Sequence, residues 1–559
     1  MSSTLNRKSM VLALSAMLLS PGSSAADSHA TQDARKQSYL LLSGRGVSGG
    51  EPDKCGIHVI ASAMEHRSQL SSAQRNALSI LQTRPSLDTS IVSNGFRVHF
   101  DTTGANTPAL LDSAHVRIPG SAFAYADSVA SIAAYVYNYQ TSVLGYPPPP
   151  PDGDLGGGSE YDIYVENLGV GLYGETTPDL DVADGGTSTT FIEIHNDFSF
   201  VTPKKNRGIP ALEVTLAHEF HHAIQIGAYG FWPADSWFHE ITSVWMEDVV
   251  YHGVNDYVNY LFVPGSQFFS PGTPLTLANG LIEYSRGIFG KFMTKHYGHD
   301  TMRHVWENAR GSSPLPALDA TLRALAPPAS LSLAYADWTL WNYYTGPRAD
   351  TARSYDEGAL FPTMAEQYYD LISPTQQTSA SLSCLGGAYT GYVAGVDTVT
   401  VALANVNSAC PAGAQSSAAY TLTVSRIRAD DTYRPIPDNL YLRLDVADQT
   451  SWVAWTIGRE GPVAGSAPEG TAFPNPYRPL TGSLLYFPAN AEQATLIIYS
   501  SGMELVYNGQ QQPQARLGQN VLTWDGRTNS GREAPTGVYL FMLSLPGRRV
   551  TGKFALVRQ

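Results

Sequence analysis

The chain has 559 residues and a formal net charge of −14 at pH 7. This charge argues against nucleic acid and anionic membrane surfaces as partners, and the length predicts several domains. Its 3 cysteines are too few for a disulfide framework in a chain of this size. Stability therefore has to come from buried apolar cores.

The N-terminus has the parts of a secretory signal. Arg7 and Lys8 precede an apolar run at residues 10–19, and small residues follow up to Ala26. That run is too short to span a membrane, and no later run reaches about 18 apolar residues. We expect residues 1–26 to be a signal peptide and the mature protein to be secreted or held at the cell surface.

An H-E-x-x-H motif is formed by His218, Glu219 and His222. Pro210 suits the first turn of a helix and Gly227 suits its end, so this segment is predicted to be helical. The two histidines then lie one turn apart on one face, where they can hold zinc, with Glu219 beside them as general base. The competing interpretation is a pair of histidines on the solvated face of a surface helix.

A catalytic zinc ion needs a third protein ligand and an open position for water. The metzincin continuation is absent, because Gln225 and Ala228 stand where that pattern needs Gly and His. The better candidate is Glu240, which lies off the apolar face of a second predicted helix. Lesser candidates for the third ligand are His239, Glu247 and Asp248.

An H-E-x-x-H helix followed by a helix that carries Glu240 resembles the gluzincin pattern of thermolysin-like and aminopeptidase-type zinc peptidases. The chain also resembles secreted bacterial metallopeptidases of myxobacterial type over roughly residues 50–370. The amino-acid sequences of residues 237–248, 96–104 and 283–292 carry this resemblance. Gluzincins often carry an Asp four positions after the ligand Glu to orient a zinc histidine. Val244 stands there, and Glu247 is a possible substitute.

The resemblance and the chemistry imply the same reaction, in which Glu219 takes a proton from a zinc-activated water and passes it to the leaving amine. Tyr251 and Tyr284 are candidate donors to the developing oxyanion. The alternating segment 189–195 is predicted to be a strand. It either binds an extended substrate through its backbone, which favours an endopeptidase, or is an ordinary core strand.

Residues 27–88 are mostly polar, with one amphipathic helical stretch at 72–82, and are expected to form a pro-region or N-terminal extension. This region contains Cys55, followed by Gly56. Two interpretations stay open: a buried or free thiol without a role, and a thiolate that caps the zinc and holds a zymogen inactive, as the Cys-Gly switch of matrixins does.

Residues 89–372 are predicted to form an α+β zincin-like domain, with strands first and helices after. Within it, a long helix is expected at 125–143 and a strand at 161–166. Three acidic residues before a Gly-Gly pair form a secondary hypothesis, a calcium site, although their spacing does not match an EF-hand and a plain turn competes. These residues are Asp179, Asp181 and Asp184.

The C-terminal third changes to short alternating strands. Residues 373–468 are predicted to form a β-sandwich, in which Cys384 and Cys410 are candidates for a disulfide. Residues 469–559 resemble the Ig-like domain of the flagellar hook-capping protein and related C-terminal sorting domains. Turn motifs carry this resemblance, and Trp524 is expected in the core.

The sequence thus favours a secreted bacterial zinc endopeptidase that acts on protein or peptide substrates. Its C-terminal domain is a candidate for contact with the cell surface or the secretion machinery. One alternative is a surface adhesion or binding protein with a degenerate zincin domain. Another is a zinc hydrolase that acts on something other than peptides, because substrate chemistry depends on the cleft.

Overall fold

The structure is a computed structural model that describes most of the chain. The described residues are 24–44, 54–370 (without 170, 181, 183 and 328), 375–394, 397–405, 417–427, 439–446, 452–460, 469–516 (without 473, 474, 476, 478 and 480–483) and 519–558. Of the predicted signal peptide, only residues 24–26 fall within these ranges.

The helices lie almost entirely in the N-terminal two thirds of the chain. They are α1 (Ser24–Ser43), α2 (Ile57–Glu65), α3 (Ser72–Leu81), α4 (Ala122–Asn138), α5 (Ile209–Ile224), α6 (Ser236–Val250), α7 (Val258–Leu261), α8 (Ile288–Tyr297), α9 (Thr301–Ala309), α10 (Pro314–Leu325) and α11 (Leu331–Tyr343).

The strands fall into a first group of five and a long C-terminal series. They are β1 (Thr89–Ser93), β2 (Phe96–Phe100), β3 (Tyr161–Glu166), β4 (Gly174–Pro178), β5 (Thr190–His195), β6 (Gln367–Asp370), β7 (Thr375–Ser383), β8 (Gly387–Ala394), β9 (Asp397–Asn405), β10 (Ser417–Ile427), β11 (Asn439–Val446), β12 (Trp452–Glu460), β13 (Leu485–Pro488), β14 (Ala494–Ser500), β15 (Leu505–Gln511), β16 (Gln514–Arg516), β17 (Gln519–Trp524), β18 (Gly537–Leu545) and β19 (Arg548–Leu556).

The first five strands form one mixed sheet in the order β1-β2-β3-β5-β4. The pairs β2/β3 and β3/β5 are parallel, and the outer strands β1 and β4 are antiparallel to their neighbours. The predicted strand at 189–195 is β5, which lies between β3 and β4. Both of its edges are therefore occupied, so β5 is a core strand, while β1 and β4 are the two edge strands of this sheet.

Helix α5 lies at the centre of the first domain, in contact with α4, α6, β4 and β5. Every residue from Val214 to Ile224 is buried. The histidine face of the predicted helix is therefore not a solvated surface, because α6 covers it. Gly227 does not end the helix: the chain continues through one wider turn to Gly230, where φ is 114° and a Cβ would lie 2.4 Å from the Gly185 carbonyl oxygen.

Helices α1, α2 and α3 form an N-terminal layer against the sheet. A capping box between Ser71 and Gln74 fixes the start of α3. The layer has a small apolar core of its own, made of Tyr39, Val59, Ile60, Ala63, Leu78, Leu81 and, from the loop before β4, Leu172. The predicted pro-region is therefore folded and packed against the rest of the domain.

A buried ion pair ties this layer to the sheet. The Arg35 guanidinium of α1 donates to both carboxylate oxygens of Glu193 on β5 and to backbone carbonyls at the end of α3. Glu166 and Glu175 lie near the same guanidinium. The buried guanidinium of Arg35 thus lies close to three buried carboxylates. Burial raises the pKa of Glu166 to about 8.

The C-terminal strands form two further all-β modules. Strands β6 to β12 make a three-stranded and a four-stranded sheet, and β13 to β19 make another such pair. The first module begins at β6, before the predicted boundary at 373, because β6 pairs with β8. Cys384 is in a disulfide, and its expected partner Cys410 lies outside the described residues. Trp524 is buried in the core of the last module, as predicted.

The chain is thus multidomain, with a helix-and-strand body followed by β modules. Among the helices that the structure describes, none is both long enough and apolar enough to cross a membrane.

The buried carboxylates predict a stability that falls as pH rises. Burial raises the pKa of Glu166 from its ordinary 4.5 to about 8, so its contribution is complete below the unfolded value and is lost as pH rises through the folded value. We expect the melting temperature to fall between about pH 5 and about pH 8, and Glu166→Gln to reduce that fall by a few degrees. Exposed Asp127→Asn serves as control, and an unchanged slope in Glu166→Gln would contradict the assignment.

Candidate metal centre

Two imidazoles and a carboxylate converge where α5 and α6 pack together. The Nε2 atoms of His218 and His222 are 3.1 Å apart. The Glu240 Oε2 atom lies 3.2 Å from His218 Nε2 and 3.8 Å from His222 Nε2. At a tetrahedral zinc ion with bonds of about 2.0–2.2 Å, neighbouring donor atoms lie about 3.3 Å apart. The arrangement therefore matches a zinc donor set in both chemistry and spacing.

Hydrogen bonds on the far side of each ring aim the donors inward. His218 Nδ1 lies 2.8 Å from Glu247 Oε1, and His222 Nδ1 lies 2.8 Å from Gln225 Oε1. Because both partners are acceptors, each Nδ1 carries the proton, and each Nε2 presents a lone pair to the centre. Two lone pairs and a carboxylate that face one another at this distance repel unless a metal ion or a proton lies between them.

Glu240 supports the same conclusion independently. Its side chain is fully buried, and neither carboxylate oxygen accepts a hydrogen bond from any residue that the structure describes. A buried carboxylate without hydrogen bonds costs several kcal/mol (about 2–7 for a polar group, more for a charge), so native structures pair it or use it as a metal ligand. The residues present thus fit a zinc ion.

Glu247 makes the contact that is expected of an orienting Asp at position 244, where this chain has Val244. It is not a third ligand, because its Oε1 atom receives the His218 Nδ1 proton while its Oε2 atom lies 2.6 Å from Lys54 Nζ. The sequence hypothesis that Glu247 supplies the missing orienting carboxylate agrees with this contact. Val244 instead packs beside Gly287, where a Cβ would lie 2.5 Å from Val244 Cγ1.

Gln225 orients His222 in the same way that Glu247 orients His218. Its Nε2 atom donates to the Thr242 hydroxyl at 2.9 Å and to the Ser243 hydroxyl at 3.2 Å, which fixes its Oε1 atom toward the imidazole. His239, a lesser candidate for the third ligand, also lies on Gln225, with its Nδ1 atom 2.9 Å from Oε1. His239 therefore helps to position Gln225, which orients His222, and is not a metal ligand.

Glu219 lies beside the donor set and against the edge strand β4. The Thr176 hydroxyl of β4 donates to Glu219 Oε2 at 2.7 Å. A Cβ at Gly174 would lie 2.9 Å from Glu219 Cγ, so the carboxylate needs bare backbone at this point of the strand. Burial raises the pKa of Glu219, and the two imidazoles oppose that shift. The residue is thus positioned as a base between the donor set and the strand.

Cys55 lies within the same cluster. Its Sγ atom and the donor atoms of His218, His222 and Glu240 all lie within 4.8 Å of one another, and Sγ is 3.7 Å from Glu219 Oε2. The thiol is free and fully buried. Burial raises its pKa, and the carboxylates of Glu219 and Glu240 add to the rise. Only a cation in the centre would favour the thiolate.

The backbone around Cys55 pairs with β4. Gly56 N donates to Gly174 O at 3.1 Å, and Gly174 N donates to Lys54 O at 3.3 Å, as in a parallel bridge. Lys54 Nζ is buried between Glu247 Oε2 and Asp256 Oδ2, at 2.6 and 2.7 Å. The N-terminal layer therefore reaches the metal centre and occupies the free edge of β4.

The two candidate tyrosines differ in position. The Tyr284 hydroxyl lies 3.2 Å from both the backbone N and the backbone O of Cys55, and its ring centroid is 6.4 Å from that of His218. Tyr284 is thus at the centre. Tyr251 is not, because its half-buried ring packs against Tyr135 of α4 at a centroid distance of 5.5 Å.

The remaining candidates lie elsewhere. Asp248 is an ion-pair partner of Lys291. Asp179, one of three residues of the calcium hypothesis, accepts hydrogen bonds from Arg84 Nε and Nη2, both at 2.8 Å. Asp181 lies outside the described residues. The Asp179 backbone N also donates to Thr189 O between β4 and β5 at 2.9 Å; the calcium site and the plain turn both stay predictions.

The electrostatics of the centre couple metal binding to proton release. Burial lowers the pKa of His218, but the nearby carboxylates of Glu240 and Glu247 raise it more, to about 10. The same imidazoles hold the pKa of Glu240 well below its usual range. Without a cation the cluster thus retains a proton on His218, and a metal ion has to displace it.

Several residues of the site were missed by sequence reasoning. Lys54, Thr176 and Asp256 come from three distant segments, and no local pattern links them to the motif. Gln225 was considered only as a departure from the metzincin pattern. Its position three residues after His222 places it one turn further along α5, which was the available signal.

Comparison with known proteins identifies one region of the chain. Residues 481–545 match the family described as FlgD Ig-like domain, which confirms the resemblance of the C-terminal module. No curated protein matches the sequence. The FlgD match covers the last β module alone and does not include the metal centre.

Three solved structures share limited similarity. PorZ, a bacterial surface component of the type-IX secretion system of Porphyromonas gingivalis, is 12% identical with a TM-score of 0.14, and the match covers 32% of this chain and 37% of PorZ. Latent PorU from the same organism is 15% identical with a TM-score of 0.13, covering 30% and 18%. The development factor IMP-L2 is 12% identical with a TM-score of 0.10, covering 34% and 89%. The chain spans about two fifths of PorZ and a fifth of PorU, and TM-scores this low support no conclusion about fold or function.

The role of Glu247 predicts a loss of metal affinity when its charge is removed. Glu247→Gln should weaken zinc binding by about 10–100-fold with all three ligands intact, because His218 loses its charged acceptor. Zinc affinity is measured by competition with a chelator. Glu213→Gln on α5, away from the centre, is the matched control. An unchanged affinity in Glu247→Gln would show that this carboxylate does not support the centre.

Proposed function

We propose that this chain is a secreted zinc-dependent endopeptidase with His218, His222 and Glu240 as metal ligands and Glu219 as general base. The observation that carries the proposal is the buried convergence of two imidazole lone pairs with a carboxylate that accepts no hydrogen bond from the described residues. This donor set is that of a catalytic zinc site with three protein ligands.

When bound, zinc would supply Lewis acidity, which makes water nucleophilic near neutral pH and polarises a carbonyl group. The chain supplies the remaining functions. Glu219 accepts the proton of the attacking water, and its raised pKa suits a group that must bind this proton and release it again. Glu219 then delivers the proton to the leaving amine. Thr176 holds the carboxylate in place through its hydroxyl.

The edge strand β4 supports a peptide as substrate. An extended peptide can add to a sheet edge through main-chain hydrogen bonds, and β4 is an edge strand that is antiparallel to β5 and contacts Glu219 through Gly174 and Thr176. Residues 54–56 already make such hydrogen bonds with Gly174. Strand pairing along an edge engages a chain that can extend in both directions, which favours an endopeptidase.

Tyr284 is the candidate donor to the oxyanion. Its hydroxyl lies beside the centre, where it donates to the Cys55 carbonyl oxygen at 3.2 Å. A substrate carbonyl at the same place would receive that hydrogen bond, and donation to a developing negative charge stabilises the transition state more than the ground state.

The alternatives receive less support. A degenerate domain in a surface adhesion or binding protein has no need for a buried base held by Thr176 or for two oriented imidazoles. A hydrolase of non-peptide substrates would not need a strand edge beside the base. We also propose secretion to the cell surface or medium, with the Ig-like module as the part that contacts surface or secretion components.

The role of Glu219 predicts a separation of metal binding from catalysis. The assay uses the chain with Cys55→Ser, since this thiol contacts Glu219. Adding Glu219→Gln should leave one zinc per chain and lower casein cleavage by about 10²–10⁴-fold. Adding Glu213→Gln should change neither quantity. A zinc-loaded Cys55→Ser chain that cleaves neither casein nor a broad peptide library would contradict the peptidase proposal.

The position of Tyr284 predicts a catalytic defect without a loss of metal. In the same background, Tyr284→Phe should reduce kcat by about 10²–10³-fold with an unchanged zinc content. Tyr251→Phe is the matched control, because that ring packs against Tyr135 at a distance from the centre. Equal rates for the two variants would remove Tyr284 from the mechanism.

A further inference from the structure

We propose that the Cys55 thiolate is the fourth ligand of the metal and that residues 54–56 fill the substrate edge of β4, so that the chain with its N-terminal layer in place is a latent form. The proposal rests on the proposed function, since it assigns the regulation of the same centre. It decides between the two interpretations of Cys55 that the sequence leaves open.

The donor geometry is the first argument. Cys55 Sγ lies within 4.8 Å of the donor atoms of all three proposed ligands. A zinc–sulfur bond of about 2.3 Å and zinc–nitrogen bonds of about 2.0–2.1 Å place sulfur and nitrogen about 3.5 Å apart at a tetrahedral ion. A small adjustment of the side chains completes a four-ligand shell. Such a shell leaves no position for water, and water is the nucleophile of the proposed reaction.

The backbone is a second and independent argument. Lys54 O accepts from Tyr173 N at 3.1 Å and from Gly174 N at 3.3 Å, while Gly56 N donates to Gly174 O at 3.1 Å. The N–H and C=O groups of Gly174, at the start of β4, are main-chain groups that an extended substrate would use. The segment runs parallel to β4. Occupant and substrate thus compete for the same edge as well as for the metal.

Gly56 explains how the segment comes so close. A Cβ at this position would lie 2.0 Å from Glu175 Oε2, although the backbone conformation itself is open to any residue. The absence of a side chain lets the backbone lie flat on β4 with the thiol directed at the centre. His58 Nδ1 lies 3.0 Å from the Cys55 carbonyl oxygen, which adds a further contact to the turn.

Lys54 anchors the segment by charge. Its ammonium group is buried between Glu247 and Asp256 and lies 5.0 Å from the Tyr260 ring centroid. Glu247 is also the carboxylate that orients His218. Residues 54–56 therefore hold the thiol at the metal position. They also hold the Lys54 ammonium group against Glu247, which orients the ligand His218. Removal of the segment would leave Glu247 to act on His218 alone.

The construction of the N-terminal layer allows it to separate from the domain. Six of the seven residues in its apolar core, Tyr39, Val59, Ile60, Ala63, Leu78 and Leu81, belong to the layer itself, and only Leu172 comes from the domain beneath. Much of its cohesion is thus internal. Its attachment involves Cys55, Ile57 and Ala61, which belong to the core of the domain, together with the β4 pairing and two buried cations, Arg35 and Lys54.

Release of the segment would alter each part of the centre in the direction that catalysis needs. Glu219 would lose its 3.7 Å contact with the thiol. The Tyr284 hydroxyl would lose both Cys55 partners, and the edge of β4 would open. One displacement thus exposes the metal position, the base, the oxyanion donor and the substrate strand together.

The first test is spectroscopic and needs no activity. Cobalt(II) replaces zinc in the full chain, and a thiolate ligand adds a charge-transfer band in the near ultraviolet. We expect this band in the wild type, its loss in Cys55→Ser and its retention in Ser62→Ala, an exposed position of α2. Stoichiometric cobalt without the band would overturn the latency proposal and leave the metal centre intact. A wild-type chain that binds no cobalt would refute the metal centre itself.

The second test compares casein cleavage by zinc-loaded full chains. Cys55→Ser should be at least about tenfold more active than the wild type, because it opens the fourth position of the metal. Adding Lys54→Gln should raise the rate further, since it weakens the anchor at Glu247 and Asp256. Melting curves confirm that each variant is folded. Equal activity of wild type and Cys55→Ser would overturn latency while supporting the peptidase.

Discussion

The structure depends on one constraint, the confinement of two imidazole lone pairs and a carboxylate in a buried space between α5 and α6. Apolar packing on every side of α5 forces these groups together, and electrostatics alone would drive them apart. Hydrogen bonds from neighbouring residues stabilise this arrangement. Glu247 and Gln225 hold the imidazoles from behind, and a cation between the donors is what makes the cluster favourable.

The edge of β4 is the second feature that connects fold with function. An unpaired strand edge can accept an extended chain and also carries a risk of unwanted pairing. Here the chain's own residues 54–56 cover it. The same contact brings Cys55 to the metal position, so a single short segment protects the edge and closes the centre.

Buried charges and apolar contacts together hold the N-terminal layer in place, the latter through Cys55, Ile57 and Ala61 in the core of the domain. Arg35 forms an ion pair with Glu193 of the sheet, and Lys54 forms ion pairs with Glu247 and Asp256. Breaking one partner of a buried pair costs about 3–5 kcal/mol, because the other charge is left uncompensated. The attachment is therefore strong while both partners are present and weak once a cation is removed. The β modules have cores of their own and do not contribute to the centre.

Local patterns in the sequence determined the helices α5 and α6, which carry His218, Glu219, His222 and Glu240, and the strands β2, β3 and β5, because helical and strand periodicity depend on neighbouring residues. They also determined the C-terminal Ig-like module. Only the tertiary structure decided that β4 is an edge strand, that Glu247 orients His218, and that Tyr284 is at the centre while Tyr251 is not. It also placed Lys54 and Cys55 at the metal position. These facts depend on contacts between segments far apart in the chain, which packing alone brings together.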